Sequence, residues 1–448
     1  MAYPLTGAQR TPPTHTVELV DFDPNLTISE LPLSGLAPRP SVLPMLSSIP
    51  LLFTATIALP VALPNQEGTA EVQRSWTLTA DRIHTVSGDV VEGGAVVVVD
   101  GKITAITPGA SEGSGDLHVK AITPGLIDMA CQVSLGLDAV EETSEATPSA
   151  SILDALNLFS PRWRSELHSG VTTVLATGPG RNVIGGLGAV VKTGGAPLVS
   201  ERLVQGDSVL WGTLGSEPSL GNRPAFGQPD LFNRRPSTRM GVEWVARKTF
   251  YEALRAKEDE SLAFLGSDRL TAVLAGELPL LLRASATQDI RTAIYLKEEF
   301  EIPELILTSA AESWRELDML ERSGASVVLP PFAFDGRTAT DGGFFAWNTV
   351  TLLDERGIRF ALSGQSGTRP DTRLAMQPAF ATRAGLDPAK ALAAATLVPA
   401  QMLGVDARVG SLDAGKDADL ALWNGDPTAL GARVVGVVLN GELVLDPR

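Results

Sequence analysis

The chain has 448 residues, enough for one large domain with an accessory one or for two to three ordinary domains. Its 44% hydrophobic and 20% charged residues describe a globular chain that buries a core, which excludes wholesale disorder. A formal net charge of −16 with no Lys/Arg run argues against nucleic acid as a partner, because the phosphate backbone would be repelled. The single cysteine, Cys131, excludes both a disulfide framework and a thiolate metal cluster. Histidine is scarce: His15, His84, His118 and His168 are all there are.

Residues 1–39 are rich in proline and threonine without helical or strand period, and read as an irregular tail. Segment 40–66 follows, in a stretch carrying no charge between Arg39 and Glu67. It reads as a secretory signal, with Arg39 as basic flank and Ala58 and Ala62 as small residues toward its end. It reads equally as a membrane anchor, since the run exceeds the roughly 20 residues that span a bilayer. Pro44, Pro50 and Pro60 work against a straight helix, each removing an amide donor. A third reading is an apolar segment packed on the domain. The length rule favours export or anchoring, hence a periplasmic or membrane-attached location, with the cytoplasm as the alternative. The true start is then expected nearer Arg39.

From Trp76 the pattern turns to β. "WTLTADRIHTVSGDVVEGGAVVVVDGKITAITPG" alternates strand-like runs with turns, and Asp100-Gly101 marks a tight hairpin. The C-terminus repeats this grammar around Asn440-Gly441. Segments 75–120 and 400–448 are therefore expected to pair into one small β-sandwich. Between them, over 121–399, apolar runs alternate with amphipathic helices. "GVTTVLATGPG", "ELPLLLRAS", "PELILTSA", "ASVVLPP" and "IRFALSGQ" read as buried strands. Ser160-Pro161 opens a helix that Gly170 closes, and Asp289 is expected to cap another whose Ile290, Ala293 and Ile294 share a face. The fold class is α/β: a (β/α)8 TIM-like barrel with a small β-sandwich formed by the flanking segments, and chemistry at the C-terminal strand ends.

Three motifs together resemble the amidohydrolase superfamily, its imidazolonepropionase-like branch in particular, from about Trp76 onward. They are "TPGLID" (Thr123 to Asp128), the glycine-rich "SGVTTVLATGPGRNVIGGLGAVVKTGG", and "VPAQMLGVDARVGSLDAGKDADLALWNGDP". The resemblance implies one or two divalent metals that lower the pKa of a bridging water, held by imidazole and carboxylate. The positions matching those ligands carry Ala130 and Gln132 after the first strand, Trp211 on the fourth, Arg283, Thr308, and Gln365 on the last. No histidine occurs after His168, and arginine stays protonated at workable pH. On this reading the metal ligands are lost and no cofactor is expected.

The remaining candidates carry bland alternatives. His84, His118 and His168 read as structural, His15 as solvated tail, and Cys131 as a buried inert thiol. Asp128, Glu141 and Glu142 form a candidate acid/base group at the barrel mouth, weighed against capping and solvated loop charge. Arg181, Asn182 and Arg283 are further candidate pocket residues; Arg283 either neutralises leftover pocket carboxylates or forks onto an anionic ligand. Gly185, Gly186 and Gly188 suggest tight turns, and no GK[ST] follows to make a phosphate cradle. Two functions stay open. One is a pseudoenzyme serving as binding or scaffold subunit, with a protein partner (a second copy, an active paralogue or a membrane complex) and attachment through 40–66. The other is a hydrolase of C–N bonds in cyclic amides or peptides.

Overall fold

The computed structural model describes residues 75–110, 112–130, 139–220, 222, 234–332, 343–364 and 372–447. The tail, the apolar segment 40–66, His15, Cys131, Gln132 and Gln365 lie outside the described residues. In chain order the first strands are β1 (Ser75–His84), β2 (Val90–Val99), β3 (Lys102–Pro108) and β4 (Leu117–Pro124). There follow β5 (Leu126–Asp128), β6 (Val171–Ala176), β7 (Ile184–Lys192), β8 (Leu203–Thr213), β9 (Leu280–Arg283), β10 (Leu305–Thr308), β11 (Ser326–Leu329) and β12 (Phe360–Leu362). The last are β13 (Leu420–Trp423), β14 (Val434–Leu439) and β15 (Glu442–Leu445). The helices are α1 (Pro161–His168), α2 (Val199–Arg202), α3 (Arg239–Glu258), α4 (Ser267–Ala275) and α5 (Thr287–Glu299). After them come α6 (Leu317–Ser323), α7 (Thr349–Glu355), α8 (Gln377–Arg383), α9 (Pro388–Ala393) and α10 (Leu397–Met402).

The flanking segments meet in one seven-stranded sheet, ordered β15-β14-β13-β4-β1-β2-β3. β4 joins them, running parallel to β1 and antiparallel to β13. Edge-to-edge pairing through β4 joins the two segments in one continuous strand-paired sheet. Both hairpin dipeptides have positive φ at each central residue, Asp100 48° and Gly101 79°, Asn440 49° and Gly441 77°, as the type I′ turn demands. The two turns abut, so a Cβ on Gly101 would lie 2.8 Å from the Asn440 carbonyl oxygen.

The second sheet is eight-stranded, running β5 to β12 in sequence order. Its pairs are parallel except at β7, which is antiparallel to both β6 and β8. This corrects the expectation of uniform strand–helix repeats. Residues 177–183, which link β6 to β7, are too few for the dozen or more that a parallel crossover needs. From β8 onward the crossovers are helical: α3 with α4, then α5, α6 and α7.

A flat sheet of this width would hold β5 and β12 about 34 Å apart, at about 4.8 Å per strand step. Instead the Asp128 carboxylate at the end of β5 accepts from the Gly364 amide just past β12 at 3.0 Å. One turn also bridges the edges: Ile127 N donates to Ala395 O at 3.0 Å and Leu362 N to Ala394 O at 2.8 Å. The sheet therefore curls round on itself, with residues 394–395 seated where the edges meet. Among the described residues no ladder pairs β5 with β12. Ile127, Leu175, Val190, Trp211, Leu281, Ile306, Val328 and Ala361, drawn from all eight strands, share one interior cluster with Met402, Leu403 and Val405. The interior is thus a packed apolar core, and the opposite face of the strands packs against the helices.

Two local devices hold these parts in place. Lys192, fully buried at the end of β7, reaches the carboxylates of Asp417 at 3.0 Å and Asp419, so the two sheets share an ion cluster. Burial alone would raise the Asp417 pKa, but Lys192, Lys102 and Arg408 outweigh it and hold the group at about 2. The α5 N-terminus departs from expectation. Asp289 lies inside the helix and takes two bonds from Arg239, at 2.8 and 3.1 Å. The cap comes instead from remote Glu312, which accepts from the Thr287 amide at 2.8 Å and hydroxyl at 2.6 Å. Among the described residues no helix is long and apolar enough to cross a membrane.

Candidate functional site at the strand ends

Strand register decides what stands at the rim. Trp211, Leu281 and Ile306 are level neighbours across β8, β9 and β10, and all three belong to the interior core. Two residues on, at the next inward position of each strand, stand Thr213, Arg283 and Thr308, again in one row. The fourth-strand assignment is corrected accordingly: Trp211 sits a layer down in the core, and Thr213 is level with Arg283. The glycine-rich stretch is corrected too. Gly185, Gly186 and Gly188 lie within β7, and a Cβ on Gly185 would overlap the Trp211 ring. Gly185 makes room for an indole, while Gly186 and Gly188 admit the Ala150 carbonyl and the Val209 side chain; they lie in the strand and do not form turns for a ligand.

Arg283 stays at the rim and turns to Glu217, in the helical turn after β8, with Nε and Oε2 3.2 Å apart. Both are largely buried, with side chains 23% and 19% exposed. Gly180 presses its backbone on this carboxylate; a Cβ there would lie 2.6 Å from the carboxyl carbon. Beside Arg283, the buried Thr308 hydroxyl has no hydrogen-bond partner among the described residues. The rim is therefore an ion pair flanked by an unsatisfied hydroxyl, able to meet a polar ligand group. Glu217 escaped the sequence reading; the one signal for it was an acid immediately following a buried strand, "LGSEPS".

The other candidates do not converge there. Ala130 contributes only its amide, which donates to Asp128 at 2.9 Å. Asp128 is fully buried, and burial first, then the charge of Glu166, raise its pKa to about 7 against the two amides it accepts from. Glu141 and Glu142 are exposed, so the expected acid/base group with Asp128 is not formed. Glu141 accepts from Thr143 at 2.8 Å, which holds its pKa low, and Glu142 pairs with Arg181 at 3.2 Å. Buried Asn182 donates to Glu141 O and the Thr147 hydroxyl, each at 3.0 Å, and accepts from Arg234. Arg181 and Asn182 are thus loop braces. His84 is half-buried, with its pKa lowered first by burial; His118 bridges Thr79 at 3.0 Å and Asp81 at 3.1 Å; His168 is exposed at the end of α1. None stands at the C-terminal strand ends of the eight-stranded sheet.

Comparison with known proteins gives the family context. A model of the amidohydrolase family matches residues 337–444. Over 394 residues the chain is 25% identical to amidohydrolase tasK of Hapsidospora irregularis, a match covering 80% of this chain and 40% of that relative's length. Over 412 residues it is 24% identical to the imidazolonepropionase of Sphingopyxis alaskensis, covering 83% of this chain and 97% of that one. The solved structure of an amidohydrolase from Thermotoga maritima superposes with a TM-score of 0.72 at 26% identity, over 82% of this chain and 99% of its own. Over most of its length the chain is similar to members of the amidohydrolase superfamily.

Amidohydrolase metal chemistry asks for imidazole and carboxylate donors converging at the strand ends. The residues present here do not fit that ion. Ala130 offers a methyl group, Trp211 a core indole and Arg283 a permanent cation already engaged with Glu217. Among the described residues no group of three His, Cys, Asp or Glu side chains gathers anywhere.

Proposed function

We propose that this chain is a binding member of the amidohydrolase superfamily, keeping the curled sheet while an ion pair occupies the rim. It acts as a scaffold or receptor subunit, its rim meeting a polar ligand through Thr213, Arg283 and Thr308. The observation that carries this reading is the Arg283–Glu217 pair at 3.2 Å, a cation where the superfamily resemblance expects a metal-binding imidazole. Function has to be argued from this site and not from the shared architecture.

A second reading has one support, the hydrolase names of the relatives. On that reading the chain cleaves C–N bonds in cyclic amides or peptides. A panel of cyclic amides and dipeptides, assayed with the full chain after chelator treatment and again with added zinc or manganese, separates the two. Binding without turnover in either form is the expected result. Turnover restored by metal would establish the hydrolase and end the scaffold reading.

A further inference from the structure

A second cavity lies away from the rim. A cleft of about 450 Å³ is walled by α1, the end of β7, α2 and β15, with Phe159, Trp163, Arg164, His168, Arg202 and Val444 among its lining. It sits at the opposite end of the curled sheet from Arg283. Thr193 in its wall donates to Val171 O at 2.7 Å, at the start of β6, whereas Arg283 closes the C-terminal end of β9.

The charge of this cleft runs against that of the whole chain. Its ionisable lining is Arg164, His168 and Arg202, with no carboxylate, in a protein of net charge −16. Arg202 is 9% exposed. Its Nε donates to Ala196 O at 2.6 Å and Nη2 to Gly195 O at 3.3 Å, both neutral acceptors. Nη1 is shielded from water and has no partner among the described residues, and burial pushes the pKa of the group down. A buried guanidinium is ordinarily matched by an anion, because desolvating a lone charge is costly. Here the protein supplies none among the described residues. The rest of the wall is mixed, with Ser160 and Thr193 among apolar side chains; Trp163 is buried, and Phe159 stands 82% exposed beside it.

We propose that this cleft binds a monocarboxylate with an apolar, preferably aromatic, tail. The carboxylate supplies the missing counter-charge to Arg202, and the tail packs against Trp163 and Phe159. One uncompensated buried cation calls for one negative charge, and a more strongly hydrated dianion would bring a second charge that Arg202 leaves unmatched. The turn that Arg202 braces is what shifts to let an oxygen reach Nη1; Gly195, at φ 98°, lies in it. The exposed Arg164 adds attraction at the entrance.

Calorimetric titration of the full chain tests this with 3-phenylpropionate, its neutral amide and inorganic phosphate. The acid is expected to bind once per chain, with the amide and phosphate each about tenfold weaker or more. Arg202→Gln is expected to weaken the acid by about tenfold, and Arg164→Gln by a smaller factor. A peptide ending in phenylalanine with a free carboxylate shares the chemistry; whichever of peptide and free acid binds more tightly names the natural source. Equal binding of acid and amide, preference for phosphate, or an unchanged Arg202→Gln would overturn the proposal. If Arg202→Gln does not fold, the amide comparison and the surface variant Arg164→Gln decide it.

Discussion

Asp128 shows how one buried carboxyl fastens a curled sheet. It accepts from Ala130 at 2.9 Å and Gly364 at 3.0 Å, tying the end of β5 to the chain beyond β12. Burial and Glu166 raise its pKa from 3.8 to about 7. Between those values the folded chain keeps a proton that the unfolded chain has released, so stability falls as pH rises across the window and levels off above it. The full span is on the order of 4 kcal/mol. Asp128→Asn should therefore gain stability relative to the parent between pH 4 and pH 8, measured by urea unfolding at both; parallel pH profiles would remove this role. At this scale the sequence disclosed Arg283 at a strand end. It did not disclose Glu217, because the partner comes from a different strand–helix connection and nothing local to Arg283 names it.

Element by element, what was legible followed local chemistry. Asp100-Gly101 and Asn440-Gly441 need positive φ at two successive positions, a demand that sequence states outright. Ser160-Pro161 likewise opens α1, with the Ser160 hydroxyl accepting from the Arg162 amide. What failed depended on remote partners. Asp289 looked like a cap until Arg239 drew it aside and Glu312 took over the helix end. The glycines of β7 looked like turns because the neighbours that press on them lie elsewhere in the chain: Trp211 and Val209 on β8 against Gly185 and Gly188, and Ala150 against Gly186. Gly185→Ala should accordingly destabilise the protein by about 1–3 kcal/mol or more through overpacking. Pairing it with Trp211→Leu should recover part of that loss; thermal denaturation of the single and double variants checks the coupling, and strict additivity would refute it.

For the whole molecule, the joint between the sheets rests on Lys192 with Asp417 and Asp419. Removing one member of a buried charge cluster leaves the others unmatched, so Lys192→Met should cost about 3–5 kcal/mol. Asp417 is held near 2 against an ordinary 3.8, so its contribution is complete above about pH 4 and is lost as pH falls through about 2. Acid unfolding of the parent should steepen across that window, and Lys192→Met should flatten it; an unchanged acid limb would contradict the cluster's role. The scarcity of histidine was legible only at this scale, since no shift of alignment restores imidazole beyond His168. The central claim is that the strand-end rim is an ion pair and not a metal centre. Elemental analysis of the full chain, purified without chelator, tests it most directly. No stoichiometric zinc, iron or manganese is the predicted result, and one tightly held equivalent per chain would contradict it.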